Sequence, residues 1–145
     1  MSFEAALKAH LQADTVITGL VNDRIWPMLR PGATLPALVY QGIGGAPVQD
    51  LDGEDTLQNP RVQIDAWAST YDTARALART VRMRMNVAAT DFRGSLISEP
   101  QDIYEEETRL FRVLLDYSCW YEGAVLWDSM PGNIDDWNAV DYLII

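Results

Sequence analysis

The sequence predicts an α+β domain, and three stretches of hydrophobic patterning carry that prediction. In residues 61–68, Val62, Ile64 and Ala66 alternate with Arg61, Gln63 and Asp65, the period of a strand with one buried face. Past Ser69 the spacing lengthens to that of a helix. Ala74, Leu77, Val81 and Met85 recur every three or four residues, with Asp72, Arg75, Arg79 and Arg82 on the opposite side. Residues 109–121 alternate again, placing Phe111, Val113, Leu115, Tyr117, Cys119 and Tyr121 on one face. At 145 residues there is room for one domain with a core of its own and little more.

Residues 2–13 read as a short helix, because Phe3, Leu7 and Leu11 form one stripe at four-residue spacing. Asp14 or Thr15 caps a further turn or two through Val16, Ile17 and Leu20, which Gly19 and Asn22 keep short. Residues 24–27 are extended, since a residue ahead of a proline (Pro27) avoids the α region. Residues 28–34 form a loop that turns at Pro31-Gly32, and Pro36 opens a strand over 37–43.

The stretch 42–60 holds Gly42, Gly44, Gly45, Pro47, Gly53 and Pro60 together with Asp50, Asp52, Glu54 and Asp55. It joins two strands expected to pair. A hairpin connection usually takes about two to five residues, so the excess length marks a working loop or arm. Ser69 is placed to cap the following helix, with Asp72 three residues on in the reciprocal position of a capping box. This strand–turn–helix unit reads as scaffold.

Residues 88–94 then form a polar turn. Residues 95–104 are extended but broken by Pro100, an edge strand at best. Glu105-Glu106-Glu107 is a solvated connector. A strand over 109–121, at about 3.3 Å per residue, exceeds roughly 40 Å. That is long for a small domain, so part of it is expected to protrude or to pair with another subunit.

Composition narrows the function classes. Hydrophobic residues make up 48% of the chain, which is globular rather than disordered. No apolar run reaches the roughly 20 residues of a membrane span. Met1-Ser2-Phe3-Glu4 lacks the basic-then-apolar layout of a signal peptide, so the protein is expected in a cytoplasm. The one cysteine, Cys119, excludes an internal disulfide and a multi-thiolate metal site. A net charge of −10 is expected to repel nucleic-acid backbones unless the few arginines cluster.

Residues 122–145 stand apart from residues 1–121. They carry Glu122, Asp128, Asp135, Asp136 and Asp141 with no base, alongside Trp127, Trp137, Tyr142, Leu143, Ile144 and Ile145. These are too many apolar groups for a solvated tail and too irregular a pattern for a core helix. This acidic, aromatic C-terminal extension either packs back over its own domain or embraces a neighbour.

Catalytic chemistry is hard to assemble. His10 is the single histidine and sits on the first helix, a surface or partly buried residue rather than a general base. Zinc needs more histidine or cysteine ligands than one of each. Asp50-Leu51-Asp52-Gly53-Glu54-Asp55 resembles the start of a calcium loop, but its glycine comes at the fourth position instead of the sixth, and Arg61 stands where a bidentate glutamate belongs. Gly42-Ile43-Gly44-Gly45 runs on into Ala46-Pro47 and acids instead of a helix N-terminus, so no phosphate cradle is indicated. Arg75, Arg79 and Arg82, with Arg84 beside them, form a cationic helix face expected to meet acids on another subunit. No catalytic residue, cofactor or metal is expected.

Several stretches, in order, resemble the tail-completion or tail-terminator family of long-tailed bacteriophages. They are the amphipathic start from Phe3 to Leu11, the stretch from Asp14 closing on Asp23-Arg24-Ile25-Trp26-Pro27, and Leu35-Pro36-Ala37-Leu38-Val39-Tyr40. Arg61-Val62-Gln63-Ile64-Asp65-Ala66-Trp67-Ala68 with Tyr71-Asp72-Thr73-Ala74-Arg75 follows, then Arg109-Leu110-Phe111-Arg112-Val113-Leu114-Leu115-Asp116-Tyr117.

The resemblance implies a small mixed or antiparallel sheet with helices packed on one face. It also implies a homo-oligomeric ring, typically six-fold, at the head-proximal end of the tail tube. There the ring stops tube polymerisation and joins the tail to the head connector, while DNA passes through its channel without specific binding. The protein is then a virion component of the tail and neck, assembled in the host cytoplasm, with no enzymatic activity and no membrane partner. Residues expected at inter-subunit or inter-ring contacts are Asp50, Asp52, Glu54, Asp55, Arg75, Arg79, Arg82, Trp127, Trp137 and Tyr142. The alternatives are another neck component, a head-completion stopper or adaptor, or a small metal-dependent enzyme built on the acids of 50–55.

Overall fold

The structure is a computed structural model and describes residues 2–50, 53–54, 57–89 and 92–122. Two short helices open the chain, α1 (Phe3–Gln12) and α2 (Thr15–Val21). Ser2 Oγ accepts the Ala5 amide at 3.1 Å, and Asp14 Oδ1 accepts the Val16 amide at 2.8 Å. Each oxygen satisfies a first-turn donor that has no partner within its helix. Asp14, not Thr15, is therefore the second cap. α2 ends at Asn22, whose φ of 57° turns the chain out of the helix.

Strands β1 (Ile25–Pro27), β2 (Ala37–Gly45), β3 (Gln49–Asp50), β4 (Gly53–Glu54), β5 (Leu57–Gln58) and β6 (Pro60–Ala68) follow. Helix α3 (Tyr71–Met85) then leads to β7 (Phe92–Leu96), β8 (Gln101–Glu105) and β9 (Leu110–Glu122). The main sheet has seven strands in the order β1-β2-β6-β9, with β5, β7 and β8 also bonded to β9. β1 runs parallel to β2 and the other pairs are antiparallel, so the sheet is mixed. This is the α+β class that the patterning predicts.

All three helices feed one apolar core. Leu7, Leu11, Ile17, Val21, Leu77 and Val81 pack with Leu38, Ile64, Leu115 and Tyr117, each buried to within about a hundredth of its surface. The core-facing strand residues alternate as β geometry requires: Val62, Ile64, Ala66 and Ala68 on β6, and Val113, Leu115, Tyr117, Cys119 and Tyr121 on β9. The helices thus cover one face of the sheet. Each fully buried leucine or isoleucine contributes about 1.5–3 kcal/mol relative to exposure.

Four expectations change. The α3 cap is Thr70, one residue later than Ser69: its Oγ1 accepts the Thr73 amide at 3.2 Å and its backbone is extended. Residues 92–94 belong to β7 instead of a polar turn. Phe92 is buried edge-on against Phe3, with ring centroids 5.6 Å apart, and pairs across the sheet with Tyr121. β9 neither protrudes nor leaves edge length for another subunit. β6 and β5 bond one side of it, and β8 and β7 the other, between them reaching both ends of the strand. The connection between β2 and β6 is shorter than 42–60, because β2 runs on to Gly45 and β6 begins at Pro60. Gly45 sits at a register shift with φ of 121°, where a side chain would collide with the Asn59 carbonyl.

The two candidate caps make separate predictions. Thr70→Ala is expected to lower unfolding free energy by about 1 kcal/mol, and Ser69→Ala by less than about 0.5 kcal/mol, read from urea midpoints. A larger loss for Ser69→Ala than for Thr70→Ala contradicts the assignment.

Candidate functional site

The face of the sheet turned away from the helices is where the chain keeps its unusual polar groups. Residues directly opposite one another across antiparallel strands point to the same side. Trp67 faces Arg112, Asp65 faces Leu114, Arg61 faces Ser118, and Arg93 faces Trp120, all on this second face. Its β2 side is covered: Ala37 and Val39 alternate with the core residues Leu38 and Tyr40, yet are 0% and 5% exposed. Arg30, from the segment between β1 and β2, lies over Trp67 with its guanidinium carbon 4.9 Å from the ring centroid. Arg112 lies 5.0 Å from the same centroid, so one indole holds two cations. The end of the face nearest Glu122 is open, with Trp120 47% exposed.

Asp65 is the buried charge of this face. It is 5% exposed, accepts a hydrogen bond from Gln63 Nε2 at 2.9 Å, and lies 3.5 Å from Arg112 Nη1. Burial pushes its carboxyl above the ordinary 3.8, while Gln63 and the Arg112 cation pull it down. Its contribution to stability is therefore fully present below pH 3.8 and is lost as pH rises through the raised value. Arg112 Nε is buried with no hydrogen-bond partner. Arg61 and Asp116 pair beside it through two hydrogen bonds but remain partly exposed, a contact worth little in water.

The cationic face of α3 is engaged within its own chain. Arg75 bonds Asp102 of β8 at 2.9 Å, and Tyr71 donates to the same carboxylate. Arg82 grips Glu99 with both terminal nitrogens, at 3.1 and 3.2 Å. Two of the three arginines assigned to another subunit's acids thus have acids of their own sequence. The sequence pattern hid this because Asp102 and Glu99 come alongside α3 only once β8 has paired with β9. Arg79 is exposed and has no ion-pair partner among the described residues. A small recess lined by Arg75, Ala78, Arg79, Arg82 and Pro100 separates α3 from the link between β7 and β8.

The acidic arm is partly described. β3 and β4 pair with each other as a two-stranded ladder apart from the main sheet, with Asp50 opposite Gly53 and Gln49 opposite Glu54. Asp50 and Glu54 are therefore on one hairpin, and Asp52 and Asp55 lie outside the described residues. Asn59 anchors the arm's base, donating to Ser118 Oγ at 3.1 Å and to the Cys119 carbonyl at 2.7 Å. Trp127, Trp137 and Tyr142 lie outside the described residues.

Groups that could do covalent chemistry are held inert. Cys119 is buried and burial pushes its thiol up to about 12, so it is not a thiolate at neutral pH. His10, expected at a surface or partly buried position, is 8% exposed. Its Nε2 lies 3.0 Å from the Arg84 carbonyl, and Arg84 Nε returns a bond to the His10 carbonyl at 2.8 Å. Burial lowers its pKa below 6.5, so the stability it contributes is present above that pH and lost as pH falls. Among the described residues no three histidine, cysteine or acidic side chains converge on a metal position, and no helix is long and apolar enough to cross a membrane.

Sequence reasoning passed over Asp65, Arg112, Trp67 and Trp120. The available signal was that large or charged side chains occupy the outward positions of strands whose inward positions are wholly apolar. Titration of the Asp65 carboxyl by NMR should give a midpoint above 3.8, and Arg112→Ala should move it further up by removing the opposing cation. A midpoint below 3.8 in the parent chain, or a fall in the variant, contradicts this account.

Three comparisons bear on identity. A chain from a solved structure described as "Virion of native gene transfer agent (GTA) particle" shares this fold with a TM-score of 0.61 at 21% identity, covering 84% of this chain and 96% of that one. A search of curated proteins finds no match. A family model, "Tail completion protein gp17", matches residues 5–122, from α1 to the last residue of β9. With most of its length and its whole described sheet inside that match, the chain belongs to the tail completion protein gp17 family, structural components of the phage tail.

Proposed function

We propose that this protein is a tail terminator, a ring-forming virion protein that closes the head-proximal end of the tail tube and joins it to the head connector. The observation that carries the proposal is the family match over residues 5–122, which takes in the β3–β4 arm together with the sheet that supports it. Stopping a polymer without chemistry requires one face that fits the last tube subunits and another that does not continue the lattice. A seven-stranded sheet with a separate two-stranded ladder suits that task. Copies joined head to tail around a closed axis, six-fold in this reading, form a ring through heterologous contacts.

The acidic stretch that includes Asp50, Asp52, Glu54 and Asp55 makes the contact to the tube or to the next ring. Arg79, exposed on α3 with no ion-pair partner among the described residues, meets a neighbouring copy. The net charge of −10 per copy gives a channel wall that lets DNA pass without binding it. The protein acts at the neck of the virion, is assembled in the host cytoplasm and has no enzymatic activity. A seven-stranded sheet weighs against the largely helical adaptor class of neck protein.

Electron microscopy of particles made without this protein tests the role. Full heads separated from tails of uncontrolled length are expected, and normal virions would refute termination. In the complementation assay, a chain with Asp50→Lys and Glu54→Lys should form the ring but join heads to tails several-fold less often. Unchanged joining would remove the arm from the contact.

A further inference from the structure

We infer that copies of this chain join head to tail through two surfaces at opposite ends of β9: an aromatic cluster with an acidic turn on one copy, and Arg93 beside Trp120 on the next. The first surface lies where β8 meets α3. Tyr104 stands opposite Phe111 across the ladder, with ring centroids 4.9 Å apart, and Tyr71 of α3 meets the same phenylalanine edge-on at 6.1 Å. Both tyrosines stay nearly half exposed, Tyr71 at 45% and Tyr104 at 48%. Asp102 fixes the arrangement, accepting from the Tyr71 hydroxyl at 3.2 Å and from Arg75 at 2.9 Å. Exposed aromatic rings already held in place have the composition and the preorganisation of an interface centre. The turn that follows β8 carries Glu105, Glu106 and Glu107 against one cation, Arg109. Glu106 and Glu107 are exposed and have no ion-pair partner among the described residues.

Such a surface selects a cation beside an apolar group, because aromatic faces and carboxylates both attract positive charge. Arg93 answers that description. It is exposed, has no ion-pair partner among the described residues, and stands directly across the ladder from the half-exposed indole of Trp120. Asp116, an acid of the same face, is already held by Arg61. Position then favours a neighbouring copy over the same chain. Phe111 and Trp120 stand at opposite ends of β9, about 30 Å apart at roughly 3.3 Å per residue. The odd offset between them also places them on opposite faces of the sheet. One chain cannot bring its own two surfaces together, whereas a second copy can. A contact between two different surfaces repeats from copy to copy, as a closed ring requires. This contact rests on the ring-forming role proposed above and adds which surfaces meet.

Charge reversal in the full-length chain, read by sedimentation velocity, tests the contact. Arg93→Glu and, in a second protein, Glu106→Arg with Glu107→Arg should each weaken self-association about tenfold. Mixing the two variants in equal amounts should restore it, because each then offers the surface that the other lacks. Variants that associate as the parent does, or a loss that mixing leaves unrepaired, would overturn the contact and leave the ring role standing as long as the parent still assembles. A parent that stays monomeric would overturn both. A second readout does without charge reversal. With p-benzoylphenylalanine in place of Tyr104, equal mixtures of ¹⁴N- and ¹⁵N-labelled chains should cross-link to residues 92–96 or 119–121 across the two labels. Cross-links confined to one label, joining the labels elsewhere, or absent would contradict the assignment.

Discussion

The pairing of β9 along both edges is the constraint on which the rest of the structure depends. It is the one strand bonded to β6, β5, β7 and β8, so four segments far apart in sequence take their positions from it. Its inward residues, Val113 through Tyr121, floor the core on which α1 and α3 rest. Its outward residues, Arg112, Asp116 and Trp120, build the second face. The anchor of the acidic arm also ends on it, through Asn59. A change that shifted β9 by one residue would exchange the two faces, burying Arg112 and exposing Leu115.

Much of this was legible in the sequence, because period alone separates strands from helices when a face is uniformly apolar. The α3 stripe, the β6 and β9 alternation and the cap at Asp14, one of the two residues the sequence offered there, follow from local pattern and local hydrogen bonding. What was not legible depended on partners distant in sequence. Phe92 looks like part of a polar turn until Phe3 and Tyr121 are brought against it. The length of β9 suggests an unmet edge until β7 and β8 line up end to end beside it. Arg75 and Arg82 look unpaired until β8 delivers Asp102 and the preceding link delivers Glu99.

The distribution of charge fits a part that works by contact. Asp65 is paired to Arg112 and hydrogen-bonded to Gln63, at a cost in desolvation that its raised pKa reflects. Groups that an enzyme would expose, the imidazole and the thiol, are instead packed into the core. The surface is left to carry exposed apolar and charged residues on opposite sides of the sheet, Met83 and Arg79 on α3 and Trp120 and Arg93 on the second face. Such a division gives the chain surfaces of different character on its two sides.

The central proposal is that this chain acts by joining other protein subunits, itself included, and transforms no molecule. Sedimentation velocity of the purified full-length protein over a wide concentration range, alone and with purified tail tubes, addresses it most directly. The account predicts a discrete closed oligomer whose mass stops growing with concentration and which co-sediments with tubes. A species that remains monomeric at the highest concentration and leaves the tubes unbound would contradict it.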